Sequence, residues 1–194
     1  MADSNSGGMT SGSTTRRALL GAFAATTLTA APVYAKAAGF LRGAGDIRRI
    51  AMTSPRTGES INTIYWIDGD YIRDAVREIS YFMRDWRTDG VHDIDTHLID
   101  TLSATHNLLD VTEPYVLFSG YRSPATNAML RRRSKGVAKK SRHLLGQAGD
   151  VHLGSRSVNQ MYRAAMACKA GGVGKYTRSK FVHMDCGPVR TWGS

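Results

Sequence analysis

Cysteine is nearly absent from this 194-residue chain: Cys168 and Cys186 alone cannot make the disulfide framework of a small stapled fold. In an oxidising compartment the pair permits one bridge. Two free buried thiols fit as well, and neither cysteine has metal-ligand spacing. Long apolar runs are missing too. The one mildly apolar stretch, Leu19 to Ala31, is rich in Thr and Ala and falls short of the roughly 20 apolar residues of a spanning helix. No later segment approaches that length, so no stable membrane insertion is expected of the mature protein. Internal repeats are lacking, and nothing marks a second domain.

The flanks of that apolar stretch give it a purpose. Thr14-Thr15-Arg16-Arg17-Ala-Leu-Leu precedes it and Val33-Tyr34-Ala35 closes it, the pattern of a twin-arginine export signal cleaved after Ala35. An uncleaved anchor is the alternative. Removal of residues 1–35 leaves 159 residues, enough for one domain with a core. The mature chain keeps 24 basic and 15 acidic residues, a net charge of +9. A basic balance raises the question of nucleic acid. Much of it lies in Arg131-Arg132-Arg133-Ser-Lys135 and Lys139-Lys140-Ser-Arg142, without the interleaved aromatics of a single-strand binder. That run reads either as a solvated loop or as an attraction to an anionic cell-surface polymer; no nucleic-acid partner is expected.

Two imidazole–carboxylate pairs carry the chemistry. His143 and Asp150 have six residues between them, Gly146 and Gly149 included, and His183-Met-Asp185 follows near the C-terminus. The first spacing is wrong for one helical face and suits a loop running into a strand over Ala148 to Leu153. Phe181 to Asp185 also reads as a strand, where alternation puts His183 and Asp185 on one side. Two neighbouring strands could aim His143, Asp150 and His183 at one point, and zinc accepts such a set while leaving a fourth position to water. From spacing alone, exposed polar residues near strand ends account for the pattern as well. His152 rivals the set, since it shares a strand face with Asp150. His97 and His106 fall on opposite sides of a helix, His92 merely precedes one, and the methionines read as core filler and not as a copper site.

The wording of three motifs goes further. Ser119-Gly-Tyr-Arg122-Ser-Pro-Ala-Thr-Asn127, Ser141-x-His143-x-x-Gly146-x-Ala148-x-Asp150, and Phe181-Val-His183-x-Asp185 with Arg190 and Trp192 resemble the zinc D,D-peptidases of bacterial peptidoglycan. The likeness, closest to their periplasmic murein endopeptidase branch, covers about Tyr65 to Trp192. It implies zinc (Zn²⁺) on His143, Asp150 and His183, substrate or oxyanion contact by Arg122, and Ser141 beside the substrate. It also implies an α+β fold of the hedgehog/D,D-peptidase type, a small antiparallel sheet carrying the zinc site and packed against helices. The implied partners are peptidoglycan stem peptides and the implied compartment is the periplasm. Several relatives carry an acidic general base three places before the last zinc histidine, where this chain has Lys180. Asp185 could then take the base's role, or it could hold a ligand imidazole from behind. The expected activity is zinc-dependent endopeptidase cleavage of stem-peptide cross-links. A D-alanyl-D-alanine carboxypeptidase is the enzyme alternative, and a non-catalytic zinc-containing cell-wall binding module the alternative of another class.

Periodicity sets out the organisation: signal 1–35, a lead-in segment or short strand at 36–64, and the peptidase domain at 65–194. Ile72, Ala75, Val76, Ile79, Phe82, Met83 and Trp86 recur at helical spacing, with Asp70 as N-cap. A second helix is expected over Asp95 to Leu109. A short strand follows at Tyr115 to Phe118, then a short helix from Pro124 to Leu130. A last helix opens on Ser157-Val-Asn-Gln160, a capping box, and ends at Gly171-Gly172.

Overall fold

The computed structural model describes residues 47–193; the export signal read at 1–35 and residues 36–46 lie outside them. Strand alternation is plain from the first element. In β1 (Ile47–Thr53), Arg48, Ile50 and Met52 are buried while Ile47 and Arg49 face solvent, the period of two that a half-buried sheet imposes. Buried Arg48 donates to Asp100 at 2.9 Å, and the same carboxylate accepts from the Tyr65 and Tyr71 hydroxyls at 2.9 and 2.6 Å, so the charge enters the core with its partners.

β1 is followed by β2 (Ser60–Ile67), β3 (Asp70–Tyr71), α1 (Arg73–Phe82), α2 (Thr96–Leu108), β4 (Tyr115–Ser119) and α3 (Pro124–Arg133). A 3-10 turn at Arg142–Leu145, β5 (Ala148–His152), α4 (Val158–Cys168), β6 (Gly172–Tyr176), β7 (Phe181–Asp185) and β8 (Arg190–Gly193) complete the chain. All eight strands form one sheet in the order β3-β2-β1-β4-β5-β7-β6-β8. Pairing is antiparallel except between β1 and β4 and between β6 and β8. α2, its Leu98, Ile99 and Leu102 fully buried, packs on the sheet and on α4. The α+β class expected from the resemblance holds. The sheet is larger than expected and mixed at two seams; its antiparallel middle, β4-β5-β7-β6, is the part that carries the site. No described helix is long and apolar enough to cross a membrane.

Several expectations need correction. The segment 36–64, read as a lead-in or a short strand, holds from residue 47 on the whole of β1 and the first five residues of β2. Asp70 does not cap α1: it pairs in β3, and Ile72 takes the cap position without a side-chain bond. The helical periodicity running to Trp86 outlasts the helix, because the chain beyond Phe82 is claimed by tertiary bonds. The Met83 carbonyl accepts from Tyr121 N at 2.8 Å, Asp85 N donates to Gly90 O at 2.9 Å, and the Asp85 carboxylate accepts from Ser123 N at 2.9 Å. Gly171-Gly172 do not end α4. Lys169 takes the left-handed position, φ +49°, and Gly172 already lies in β6. α3 runs three residues past Leu130, to Arg133. The Ser157–Gln160 capping box forms as expected, and Cys168 and Cys186 are both free thiols.

Candidate metal centre

The site is assembled by register. β5 and β7 pair so that Asp150 stands directly opposite His183, and β4 pairs with β5 so that Ser119 stands opposite Asp150. Directly opposed side chains on one face lie close enough to touch. His143 arrives from the 3-10 turn, which Gly146 terminates at φ +64°, a conformation glycine takes without steric cost.

Three atoms converge. His183 Nδ1 is 2.8 Å from Asp150 Oδ1, and His143 Nε2 is 3.2 Å from His183 Nδ1 and 3.3 Å from Asp150 Oδ1. Each of these side chains is held from behind on its other polar atom. His143 Nδ1 lies 2.7 Å from the Gly120 carbonyl oxygen, to which it can only donate. His183 Nε2 lies 3.0 Å from Asp185 Oδ2. Asp150 Oδ2 is bonded by the Arg122 guanidinium, whose Nε also donates to Ser119 Oγ at 2.7 Å. With the outer protons so committed, both inward nitrogens present lone pairs to a carboxylate oxygen and to each other. Such a cluster is stable only around a cation, either a metal ion or a proton. Gly120 is indispensable to it: a Cβ there would sit 2.7 Å from Met83 Cβ, so a side chain would push its carbonyl off His143.

The electrostatics follow from burial and partners. Burial holds the His143 pKa below its usual value, against the opposing pull of Asp150. Burial would lower His183 too, but the hydrogen bonds and charges of Asp150 and Asp185 outweigh it and raise its pKa. Burial would raise Asp150, yet His143 and Arg122 hold its carboxyl well below the carboxylate range. Asp185, 1 % exposed, is likewise depressed, the bonds from His183, Arg190 and Gly187 overcoming burial. It accepts from Arg190 Nη2 at 2.7 Å and Nη1 at 3.0 Å, from Gly187 N at 2.7 Å and from Gly172 N at 3.3 Å, besides His183.

The triad lies in a cleft of about 480 Å³, where the aromatic side chains of Tyr176, Phe181 and Trp192 meet the segment Ser134 to Arg142, with Ser141 and Arg122 also in its lining. His152 stays outside the triad and stacks on Phe118. His106 bonds the Glu113 carbonyl and His92 lies against Tyr121. Lys180 is exposed in the turn before β7, at φ +57°, and does not line the cleft. Two parts of the site escaped sequence reasoning. The Gly120 carbonyl carries no side-chain signal. Arg190 appeared only as a motif letter, although a cation five residues past Asp185 was the available hint. Of the basic segment before His143, read as a solvated loop or as an attraction to an anionic polymer, Lys140 and Arg142 line the cleft, while Arg131, Arg132, Arg133, Lys135 and Lys139 are exposed and outside its lining.

Known proteins resemble this chain over most of its length. The family described as Peptidoglycan L,D-endopeptidase MepK matches residues 42–192. The Peptidoglycan L,D-endopeptidase MepK of Escherichia coli (strain K12) is 43% identical over 145 residues, 75% of this chain and 80% of the relative. The Probable peptidoglycan L,D-endopeptidase MepK of Haemophilus influenzae is 35% identical over 146 residues, 75% of this chain and 78% of the relative.

Proposed function

Because the chain belongs to the peptidoglycan L,D-endopeptidase family, we propose that it is a zinc-dependent murein endopeptidase that opens L,D bonds in stem-peptide cross-links. The observation that carries this reading is the triangle of inward lone pairs on His143, Asp150 and His183. Its edges of 2.8–3.3 Å are close to the about 3.3–3.6 Å between ligands of a tetrahedral zinc at 2.0–2.2 Å. The donor set of two imidazoles and a carboxylate is the kind that leaves a fourth position open. Bond specificity, which spacing left open, follows the relatives' names, L,D in place of the D,D of the wider likeness. The export signal at 1–35 would deliver the enzyme to the periplasm.

A bound zinc ion would polarise the scissile carbonyl and bring the attacking water's pKa towards about 7. The chain's own residues hold that chemistry in place. Gly120 and Asp185 fix the two imidazole tautomers, and Arg122 pins the outer oxygen of Asp150. Asp185 fits the orienting role better than the base's: buried, with donors on both oxygens and its proton affinity depressed, it has little capacity to accept a proton. Ser141, in the cleft lining, stands beside the substrate.

The test is digestion of purified cell-wall sacculi with and without chelator, the products being read by mass spectrometry. L,D-linked dimers should resolve into monomers, and chelator should stop it. Activity unmoved by chelator overturns the metal; release of terminal D-alanine alone favours the carboxypeptidase, and binding without cleavage the binding module.

Arg122 gives a sharper prediction. Its guanidinium serves Ser119 and Asp150 at once, a fork that a lysine ammonium cannot reproduce. Arg122→Lys, with charge retained, should lower turnover about 10- to 100-fold while the circular dichroism spectrum stays native. Full activity would remove Arg122 from the machinery.

A further inference from the structure

Three arginines line the cleft, and they are not equivalent. Arg122 is bonded to Asp150 and Arg190 to Asp185, so each meets a carboxylate that offsets its charge. Arg142 has no carboxylate within ion-pair distance among the described residues. Its Nη1 donates instead to the amide oxygen of Gln147 at 2.8 Å. Gln147 Nε2 donates in turn to Asp95 Oδ2 at 3.1 Å, and Asp95 is itself fixed as the N-cap of α2 through His97 N at 3.0 Å. The Arg142 backbone is held as well, its carbonyl accepting from Gln147 N at 3.1 Å. The result is a guanidinium tethered by a neutral group, half-buried in the cleft wall and one residue from His143. A tether of this kind sets position without cancelling charge. Guanidinium donors not used by the tether match a carboxylate in geometry and sign.

We propose that Arg142 binds a free carboxylate of the stem peptide beside the scissile bond and so sets the enzyme's preference for acidic cross-links. This rests on the endopeptidase reading given above. The roles within the cleft then divide: Arg122 and Arg190 hold the site's own carboxylates, and Arg142 holds the substrate's.

The experiment uses the mature, zinc-loaded protein and a synthetic cross-linked stem-peptide dimer in two forms, with free carboxylates and with those carboxylates amidated. Both cleavage rates and calorimetric binding are measured. The unsubstituted enzyme should prefer the free acid by about 10- to 100-fold in kcat/KM, chiefly through KM. In Arg142→Gln that preference should collapse to within about twofold of parity, with metal content unchanged, and Arg142→Lys should restore part of it. Equal loss on both dimers in Arg142→Gln would make Arg142 a structural residue and overturn the proposal; so would a preserved preference, or no binding of the free acid by the unsubstituted protein. Binding that discriminates acid from amide without any cleavage would instead overturn the endopeptidase reading and leave the assignment of Arg142 standing.

Discussion

Replacing His143 with alanine is expected to abolish metal retention and to lower cross-link cleavage by on the order of 10³-fold or more, because metal-assisted charge stabilisation supplies several kcal/mol of the barrier reduction. The variant removes one corner of the triangle and leaves Asp150 Oδ1 and His183 Nδ1 facing each other at 2.8 Å, a pair that a single proton on His183 can satisfy. It should therefore fold, and its loss is to be read on the metal. The unsubstituted protein at about a hundredfold excess of zinc over Kd should gain about 2.7 kcal/mol, an upward shift of about 5–10 °C in its unfolding midpoint. His143→Ala should show almost none of that shift. Metal analysis, a thermal scan with and without zinc, and the sacculus assay check the three statements together. A variant that keeps stoichiometric metal would remove His143 from the ligand set.

Asp185→Asn is the second large effect, and its form decides what Asp185 does. The carboxylate accepts on both oxygens, from His183 and Arg190 on one side and from Gly187, Gly172 and Arg190 on the other. An asparagine has one oxygen, so whichever way its amide turns, an NH₂ group meets donors. If it faces His183, the imidazole must surrender the proton on Nε2 and carry it on Nδ1, the inward atom. A ligand lone pair is lost by tautomer exchange, without any movement of the backbone. Metal affinity should fall about 10- to 100-fold, and turnover should recover in part as zinc is raised. Were Asp185 the base, zinc would stay bound and turnover would fall about 10²-fold or more at every zinc concentration. Measuring turnover against zinc concentration separates the two, and a variant indistinguishable from the unsubstituted enzyme would sink both.

Apolar spacing was enough to locate α2 and α4, because Leu98, Leu102, Val158, Met161 and Ala165 recur on the turn of a helix and are buried where they recur. Spacing failed at Trp86 and at Asp70, where bonds from distant residues outcompeted the local signal: Tyr121 claims the Met83 carbonyl and β2 claims Asp70. β1, read as part of a lead-in or a short strand, is disguised by Arg48 in its inward row, where the Asp100 carboxylate on α2 and the Trp66 ring meet the buried guanidinium. Gly171 and Gly172 looked like a helix stop, but Lys169 took the left-handed turn first.

For the site, the motif order pointed to His143, Asp150 and His183 as one donor set, and the three side chains do converge, since the donor atoms themselves are spelled out in a sequence. Which nitrogen of each imidazole faces inward, what holds it there, and which donors surround Asp185 were set only by the tertiary structure. Those properties belong to neighbours far apart in the chain: the Gly120 carbonyl behind His143, Arg122 behind Asp150, Arg190 around Asp185. The same holds for Arg142. Composition makes it one of many positive charges, and only the neutral tether of Gln147 distinguishes it from the two arginines whose charge is already offset, because what a charge can bind depends on what the fold has placed beside it.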